Sequence, residues 1–401
     1  MQWLFASMGH PKADPSANSA RLVDPDRLVG IAIQALGTRL GTRKEVTLIG
    51  HQVKPILDRR IRLGLLGCGR ISRNHFRSLE ELSDDLELVG VCDTDPDRMS
   101  QDFVPSDAPR FERLGDMLAT AEPDIVAICT PSGFHPKQTV DVARAGVHVL
   151  TEKPMATRWN DGLRMVEACD DAGVRLFVVK QNRFNATLQL LRRAIQEKRF
   201  GRIHMATVNV FWTRPQEYYD SDSWRGTWEL DGGAFMNQAS HYIDLLDWLV
   251  GPIDRVSAMT ATLGRDIEVE DSGVMNVRWR NGALGSIAVT MLTYPKNLEG
   301  SLTILGETGT VRIGGVAVNE IQAWEFADER EYDEQVRSAN YETTSVYGFG
   351  HPAYYRNMIE VLRGKAEPET DGREGLKSLE VLIATYLSAR DGKTVSLPLE
   401  Y

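Results

Sequence analysis

The sequence has few cysteines, no long apolar run and no excess of basic residues. Four cysteines occur among 401 residues, and none is spaced as a metal-binding pair, which argues against a disulfide framework or a zinc module. No apolar run approaches the roughly 18 residues that cross a bilayer. The net charge of −10 disfavours nucleic acid and anionic membrane surfaces as partners.

The N-terminal segment carries no recognisable motif. It lacks the basic start and the apolar stretch of a signal peptide, so we expect a cytoplasmic protein with reduced cysteines. One short helix is predicted near residues 28–40. Residues 1–57 are predicted to be an N-terminal extension of uncertain structure, and no function is assigned to them.

From residue 60, short β-branched runs alternate with segments of helical period. Proline stands in the first turn of the predicted helices 96–103 and 136–145, and glycine follows the predicted helices 136–145 and 159–172. This alternation predicts right-handed βαβ units and a parallel sheet, and hence a Rossmann dinucleotide-binding domain over residues 58–180. The predicted strands are 61–66, 86–92, 125–129, 147–150 and 174–179. The predicted helices are 72–82, 96–103, 136–145 and 159–172.

The second half changes to longer alternating strands. It predicts an α+β domain with a mostly antiparallel open sheet over residues 181–401, with roles in substrate binding and oligomerisation. Asn281-Gly282 and the segment 306–309 are typical hairpin turns. Strands are predicted at 203–211, 256–263, 273–279, 285–291, 301–305 and 310–313, and helices at 187–197, 352–363 and 372–390.

A glycine-rich turn follows the first predicted strand and opens the first helix. Gly67 permits the tight turn, and Gly69 allows the backbone to approach a pyrophosphate at the helix N-terminus. Asp93 ends the second strand, where a carboxylate accepts hydrogen bonds from ribose hydroxyls and repels a 2′-phosphate. NAD is therefore predicted over NADP, although a nearby arginine such as Arg98 would soften that preference.

Further residues at predicted strand ends complete the cofactor site. The loop at Thr130 and Pro131 should line the nicotinamide half, and His135 either contacts the cofactor or caps the following helix. The predicted cofactor-binding residues are Gly67, Cys68, Gly69, Arg70, Ile71, Asp93, Thr130, Pro131, His135, Glu152, Lys153 and Gln181.

Two segments carry residues suited to proton and charge chemistry. Lys153 closes a strand just before Pro154, so its ammonium should reach the crevice and stabilise a developing alkoxide. Later, a Gly-Gly turn precedes a predicted amphipathic helix in which Asn237, His241 and Asp244 share one face. No metal site is predicted.

Five motifs together resemble the Gfo/Idh/MocA family of sugar-related dehydrogenases, over about residues 60–400. They are GCGRI (67–71), VCD (91–93), CTPSGFHP (129–136), TEKP (151–154) and GGAFMNQASHYIDLLDW (232–248). Segments 180–185, 209–219, 224–228 and 347–352 are similar to one branch of that family. That branch oxidises the 3-hydroxyl of UDP-N-acetylglucosaminuronic acid on the route to bacterial surface glycans.

The resemblance implies that Lys153 and His241 are the catalytic pair. Many members carry aspartate where this chain has Asn237; since an amide cannot take a proton, Asn237 should orient the sugar, and His241 or Lys153 should be the base. Asp244 either orients His241 or only solvates the helix. The implied substrate-binding residues are Asn237, Gln238, Arg183, Arg225, Trp224 and Lys296. A homo-oligomer and a downstream aminotransferase in the pathway are also expected.

Other functions fit the same motifs. The enzyme could act on a different sugar or inositol, or could be a glycosidase that uses NAD transiently. A non-catalytic NAD-sensing protein is a further alternative, but such a protein is expected to lose the lysine or the histidine, and both are present here.

Overall fold

Two β-sheets organise the chain in the computed structural model, which describes residues 54–343, 346 and 348–400. The helix predicted near residues 28–40 lies outside the described residues. The predicted fold class, a Rossmann domain joined to an α+β domain with a mostly antiparallel sheet, is confirmed.

The first sheet is parallel and has the strand order β3-β2-β1-β4-β5-β6. Its strands are fully buried near their centres because helices cover both faces, as expected for β-branched runs without alternation. The order reverses between β1 and β4, so the carboxyl ends of these strands border a crevice. The strands are β1 (Ile61–Leu66), β2 (Leu86–Cys92), β3 (Arg110–Phe111), β4 (Ile125–Ile128), β5 (His148–Thr151) and β6 (Leu176–Val178).

The helices of this half follow the predicted alternation with one error. They are α1 (Ser72–Glu81), α2 (Leu114–Ala121), α3 (His135–Arg144) and α4 (Trp159–Asp171). The helix predicted at 96–103 is wrong, since only a 3₁₀ turn at Arg98–Ser100 forms there. The carboxylates of Asp93 and Asp95 accept hydrogen bonds from amides two residues on, which favours turns over a helix. Strand β3 and helix α2 were not predicted.

The second sheet has eight strands in the order β13-β12-β11-β7-β10-β9-β8-β14. All neighbours are antiparallel except β7 and β10, which pair in parallel. Both predicted hairpin turns connect antiparallel neighbours, β9 to β10 and β11 to β12. The strands are β7 (Ile203–Phe211), β8 (Ile253–Ala261), β9 (Ser272–Trp279), β10 (Leu284–Thr290), β11 (Glu299–Gly306), β12 (Gly309–Gly314), β13 (Glu320–Phe326) and β14 (Val395–Ser396), of which the last two were not predicted.

Helices of the second half pack between the sheets. The long helix α10 lies against β8, α4 and α7, while α9 packs on α1, so the C-terminal helices tie the two sheets together. The helices are α5 (Ala186–Gln196), α6 (Gln216–Asp220), α7 (Ser240–Val250), α8 (Val336–Ala339), α9 (His351–Leu362) and α10 (Gly372–Asp391). Within the described ranges, no helix is long and apolar enough to cross a membrane.

Helix α7 begins later than predicted, so Asn237 lies in the turn before it rather than on the helix. The Asn237 amide donates to the Gly233 carbonyl in the helical manner, but the Ala239 amide donates to the Ala234 carbonyl, five residues back, which interrupts the helical pattern. Distant side chains hold this turn: the amide of Phe235 donates to Glu270 Oε1 at 2.9 Å, and that of Met236 donates to Tyr386 Oη at 3.1 Å. The regular helix begins at Ser240.

The packing of α7 can be tested by truncating its buried face. Leu245 is fully buried, so Leu245→Ala should leave a cavity and lower the free energy of unfolding by about 2–5 kcal/mol. Leu57, which precedes β1, is 62% exposed, and Leu57→Ala should change it by less than about 0.5 kcal/mol. Urea denaturation of both variants measures the difference; equal losses would contradict this packing.

Candidate functional site

A cavity of about 1350 Å³ lies at the carboxyl ends of the first sheet, closed on its other side by residues 218–237. Strand ends of an open parallel sheet are the expected place for a ligand. Most of the predicted cofactor residues line it: Gly67, Gly69, Arg70, Ile71, Asp93, Thr130, Pro131, His135, Glu152 and Lys153. Three predicted substrate residues line it as well: Trp224, Arg225 and Asn237.

The glycine turn has the shape that a dinucleotide requires. Gly67 has φ of 96°, and a Cβ there would lie 2.8 Å from the backbone of Cys129 and Thr130, so only glycine fits between β1 and β4. Gly69 is open, with Arg98 Nη1 at 3.6 Å from a hypothetical Cβ. The backbone at the start of α1 is therefore accessible to a phosphate group.

Asp93 lies where β2 ends and borders the cavity. Its carboxylate accepts hydrogen bonds from the amides of Cys68 at 2.8 Å and Asp95 at 3.0 Å. These contacts fix the carboxylate at the position expected for a ribose contact. Cys68 contributes this amide, while its side chain is fully buried outside the cavity lining.

His135 joins two loops of the cavity. Its ring nitrogens lie 3.0 Å from the carbonyl oxygen of Pro154 and 2.8 Å from that of Thr130. It is the first residue of α3 and makes no side-chain capping bond, so the helix-cap alternative is not what the structure shows. Burial lowers its pKa. The side chain ties the loop after β4 to the segment that follows Lys153.

Glu152 binds the backbone of Lys153 through its side chain. Its Oε2 accepts the Lys153 backbone amide at 3.0 Å, and its Oε1 lies 3.0 Å from His75 Nε2 and 3.7 Å from His351 Nε2. Although burial acts to raise it, the pKa of Glu152 is held well below its usual value by His351 and His75. The Tyr355 hydroxyl lies 2.7 Å from His75 Nδ1.

His75, Glu152 and His351 form a buried cluster whose ligand-type atoms lie within 4.8 Å of one another. The sequence did not predict it. A neutral His75 can accept from Tyr355 and donate to Glu152, so both its ring nitrogens are already hydrogen-bonded. His75 and Glu152 are thus a hydrogen-bonded pair next to Lys153, while neither ring nitrogen of His351 has a hydrogen-bond partner among the described residues.

Lys153 contacts Asn237 across the cavity. Its Nζ donates to the backbone oxygen of Asn237 at 3.0 Å and to Oδ1 at 3.3 Å. The Asn237 Nδ2 in turn donates to Asp231 Oδ1. Burial lowers the pKa of Lys153, while Glu152 and Asp231 act to raise it. A lysine from the first sheet and an amide from the second half therefore meet as one polar group.

His241 is buried beside this group, one turn beyond Asn237, and is not one of the residues found to line the cavity. Its Nε2 lies 3.2 Å from Gln181 Nε2, and its Nδ1 has no hydrogen-bond partner among the described residues. Burial lowers the pKa of His241 well below its usual value, and the Lys153 and Lys180 ammonium groups lower it further. The imidazole is consequently neutral near pH 7.

Arg183, a predicted substrate residue, is placed away from the cavity lining. Its guanidinium binds Asp244 through two nitrogens, at 2.7 and 2.8 Å, and also contacts Glu374. Lys180 Nζ lies 3.7 Å from the same Asp244 carboxylate. Asp244 is buried, and its pKa stays low because Arg183 and Lys180 outweigh the effect of burial. Asp244 is therefore an ion-pair partner rather than a solvated helix residue.

Arg225 and Trp224 lie at the mouth of the cavity. The Arg225 guanidinium stacks 4.4 Å from the Trp224 ring and donates to Asp222 at 3.0 Å and to the Tyr218 hydroxyl at 2.9 Å. Arg98 of the first half reaches the same Asp222 at 2.7 Å. One carboxylate thus bridges the two walls of the cavity through two arginines.

Two other predicted substrate residues are not brought into the cavity lining. Lys296 is exposed on the segment between β10 and β11, and Gln238 is buried in the turn before α7. Conversely, the sequence reasoning missed Asp231, Glu270 and Tyr386. The only signal for Asp231 was its position directly before the Gly-Gly turn, and Glu270 and Tyr386 reach the turn from distant segments.

Two family models match the chain. One, described as an NAD-binding Rossmann fold of an oxidoreductase family, matches residues 61–180. The other, the C-terminal alpha/beta domain of the same family, matches residues 192–397. The chain belongs to the Gfo/Idh/MocA oxidoreductase family. The predicted membership, the NAD cofactor and the class of oxidoreductase are confirmed.

Solved structures of Gfo/Idh/MocA enzymes resemble the chain closely. The WlbA dehydrogenase from Bordetella pertussis, in complex with NADH and UDP-GlcNAcA, is 65% identical, with a TM-score of 0.84 over 86% of this chain and 100% of that one. The WlbA dehydrogenase from Chromobacterium violaceum, in complex with the same two compounds, is also 65% identical, with a TM-score of 0.82 over 86% of this chain and 99% of that one.

A more distant Gfo/Idh/MocA relative has a different substrate in its name. D-apiose dehydrogenase from Paraburkholderia graminis is 28% identical over 84% of this chain and 90% of its own length. Within the family, therefore, the shared fold does not determine the sugar, and the substrate must be argued from the site.

Glu270 should make the stability of the fold pH-dependent. Burial raises its pKa to about 7, and its Oε2 has no hydrogen-bond partner within the described chain. Because the pKa of Glu270 is raised in the folded state, its contribution to the free energy of unfolding is fully present below the unfolded-state pKa of about 4.3. That contribution is lost as pH rises to about 7.

The variant Glu270→Gln removes this titration. As pH rises from 5 to 8, the wild type should lose about 2 kcal/mol of unfolding free energy relative to Glu270→Gln. Urea unfolding at the two pH values measures the change, with Glu80→Gln at an exposed position as control. A constant difference between wild type and Glu270→Gln would show that Glu270 does not titrate in this range.

Proposed function

We propose that this protein oxidises the 3-hydroxyl of UDP-N-acetylglucosaminuronic acid with NAD as the hydride acceptor. The observation that carries the proposal is the contact between Lys153 and Asn237 at a cavity walled by the glycine turn, with His241 buried beside it. The 65% identity to dehydrogenases solved with NADH and UDP-GlcNAcA supports this choice of substrate.

The chain's own residues bind and orient the sugar. In the proposed reaction, the C3 hydroxyl loses its proton to a protein base and the C3 hydrogen leaves as hydride. Bound NAD supplies the acceptor for that hydride. The Lys153 ammonium donates to the sugar oxygen as negative charge develops there, an effect worth about 3–4 kcal/mol for one preorganised donor.

His241 is the proposed proton acceptor. A neutral imidazole is required for this role, and the lowered pKa of His241 provides it near pH 7. Because the Gln181 Nε2 amide can only donate, the His241 Nε2 beside it is the unprotonated nitrogen that can accept a proton, and the neutral ring carries its hydrogen on Nδ1. Lys153, whose pKa burial also lowers, keeps its contact to Asn237 and holds the hydroxyl in place.

Anion recognition is assigned to the mouth of the cavity. Arg225 shares the Asp222 carboxylate with Arg98, which also pairs with Asp95, and the Arg225 guanidinium is the fork that suits a diphosphate or a uronate. Trp224 offers a ring on which a sugar or a uracil can pack. Because Asp244 and Glu374 neutralise Arg183, the predicted substrate role of Arg183 is less well supported.

The setting of the enzyme is part of the proposal. We assign residues 58–180 to the cofactor and residues 181–401 to the substrate and to oligomerisation. Met205, Met259, Val274 and Leu284 are exposed on strands of the second sheet, which supports a homo-oligomer. A cytoplasmic location, a role in surface-polysaccharide biosynthesis and a downstream aminotransferase complete the proposed pathway context.

The substrate is tested by following NADH absorbance with purified protein. UDP-N-acetylglucosaminuronic acid should be oxidised at C3, while inositol, glucose and apiose should give less than about one hundredth of that kcat/KM, because they lack the anions that the arginines bind. Equal rates with inositol would assign the protein to another branch of the family. A net release of hydrolysed sugar without a keto product would point to a glycosidase.

Substitutions of the catalytic pair test the roles of its members. Lys153→Ala should lower kcat by about 10²–10³ and His241→Ala by about 10²–10⁴, with unchanged fold. The exposed Lys137→Ala and His204→Ala serve as matched controls with wild-type kcat. A double variant that retains turnover would refute the assignment.

Asp93 should determine the choice between the two nicotinamide cofactors. Asp93→Asn keeps an acceptor for the Cys68 amide but removes the negative charge, so the Kd for NADH should rise about tenfold while that for NADPH falls. Fluorescence titration of both cofactors measures this, with the exposed Asp107→Asn as control. If the dissociation constants of both cofactors were unchanged, Asp93 would not be a cofactor-binding residue.

A further inference from the structure

Asp231 is a buried carboxylate beside the catalytic lysine that the proposed mechanism does not use. It is only 1% exposed. One of its oxygens accepts from Asn237 Nδ2, and the other accepts from the Gly226 amide at 2.8 Å. The second contact closes a turn at Gly226, whose φ of 68° suits glycine, so the carboxylate is held at a fixed place behind Asn237.

The Asn237 amide can take only one orientation between its two neighbours. The Lys153 ammonium has donors and no acceptor, so it must face Oδ1, while an ionised Asp231 has acceptors and no donor, so it must face Nδ2. Without the carboxylate, the amide gains the freedom to rotate and present its NH₂ to the ammonium. That contact would be repulsive.

We propose that Asp231 is a positioning residue that orients the Asn237 amide and thereby places the Lys153 ammonium for reaction. The carboxylate acts through hydrogen bonds alone and does not touch the substrate. This inference rests on the proposed function for its kinetic consequences, but the contact itself is a property of the protein's own side chains.

The charges around Asp231 make the arrangement sensitive to pH. The groups that interact with it are Lys153, Arg225 and Tyr219. Burial raises the pKa of Asp231 to about 6, although both cations act to lower it. Protonation below that pH puts a hydroxyl on one of the two oxygens that accept from Asn237 and Gly226, so the hold on the Asn237 amide should weaken on the acid side.

An exchange of the two side chains gives the sharpest test. Asp231→Asn should lower kcat by about tenfold or more, with the KM for the sugar and the Kd for NADH within about twofold of wild type. The double variant Asp231→Asn, Asn237→Asp restores a carboxylate–amide pair in the same space and should recover kcat to within about threefold. The exposed Asp107→Asn controls for the loss of one negative charge.

A second measurement follows the ionisation of Lys153 and does not require catalytic turnover. Protein labelled with ¹³C at lysine Cε is titrated by NMR, and the Lys153 signal is assigned by its absence in Lys153→Arg. Asp231 raises the pKa of Lys153, so the Lys153 titration should move to lower pH in Asp231→Asn and return in the exchanged variant. In the wild type, the Asn237 side-chain amide signals should shift as pH passes through about 6.

Three outcomes would overturn the proposal. The first is wild-type kcat in Asp231→Asn, the second an unchanged Lys153 titration in that variant, and the third an exchanged variant that folds but is no more active than the single one. If Asp231→Asn does not fold, the exchanged variant and the wild-type amide titration decide. Should the wild type fail to oxidise the UDP-sugar, the proposed function falls, while the lysine titration still tests Asp231.

Discussion

The contact between the Lys153 ammonium and Asn237 joins the two halves of the molecule at the proposed reactive centre. Lys153 follows β5 of the parallel sheet, and Asn237 lies in the turn before α7, which belongs to the second half. A carboxylate supports each partner: Glu152 accepts the backbone amide of Lys153, and Asp231 accepts a hydrogen bond from the Asn237 side chain. Both supports are buried carboxylates, and both act to raise the pKa of Lys153 against the lowering effect of burial.

Most of the fold was predictable because it follows from local periodicity. Strand β7 and the first two strands begin and end where the alternation of residues placed them, and residues at the ends of β1, β2, β4 and β5 gather at one cavity as parallel topology requires. The short strand β3 and the false helix after Asp93 depend instead on turns, in which carboxylates compete for backbone amides.

The errors at the site arise from contacts between distant segments. Arg183 has the chemistry of an anion binder, but Asp244, 61 residues further on, binds both of its nitrogens. Helix α7 starts late because the Ala239 amide donates to a carbonyl five residues back, and the turn that results is held by Glu270 and Tyr386, which lie far along the chain. Local sequence patterns do not predict contacts between distant segments. The residue type of Arg183 therefore could not show whether it binds a ligand or an internal carboxylate.

The single parallel pair in the second sheet, β7 with β10, has a consequence for the evolution of substrate choice. A parallel partner cannot be reached by a hairpin, so the chain must leave β7, travel to the far edge and return through β8 and β9. Trp224, Arg225, Asp231, Asn237 and His241 all lie on that excursion. Its sequence can therefore diverge to admit new sugars while the hydrogen-bonded ladder on either side retains its register.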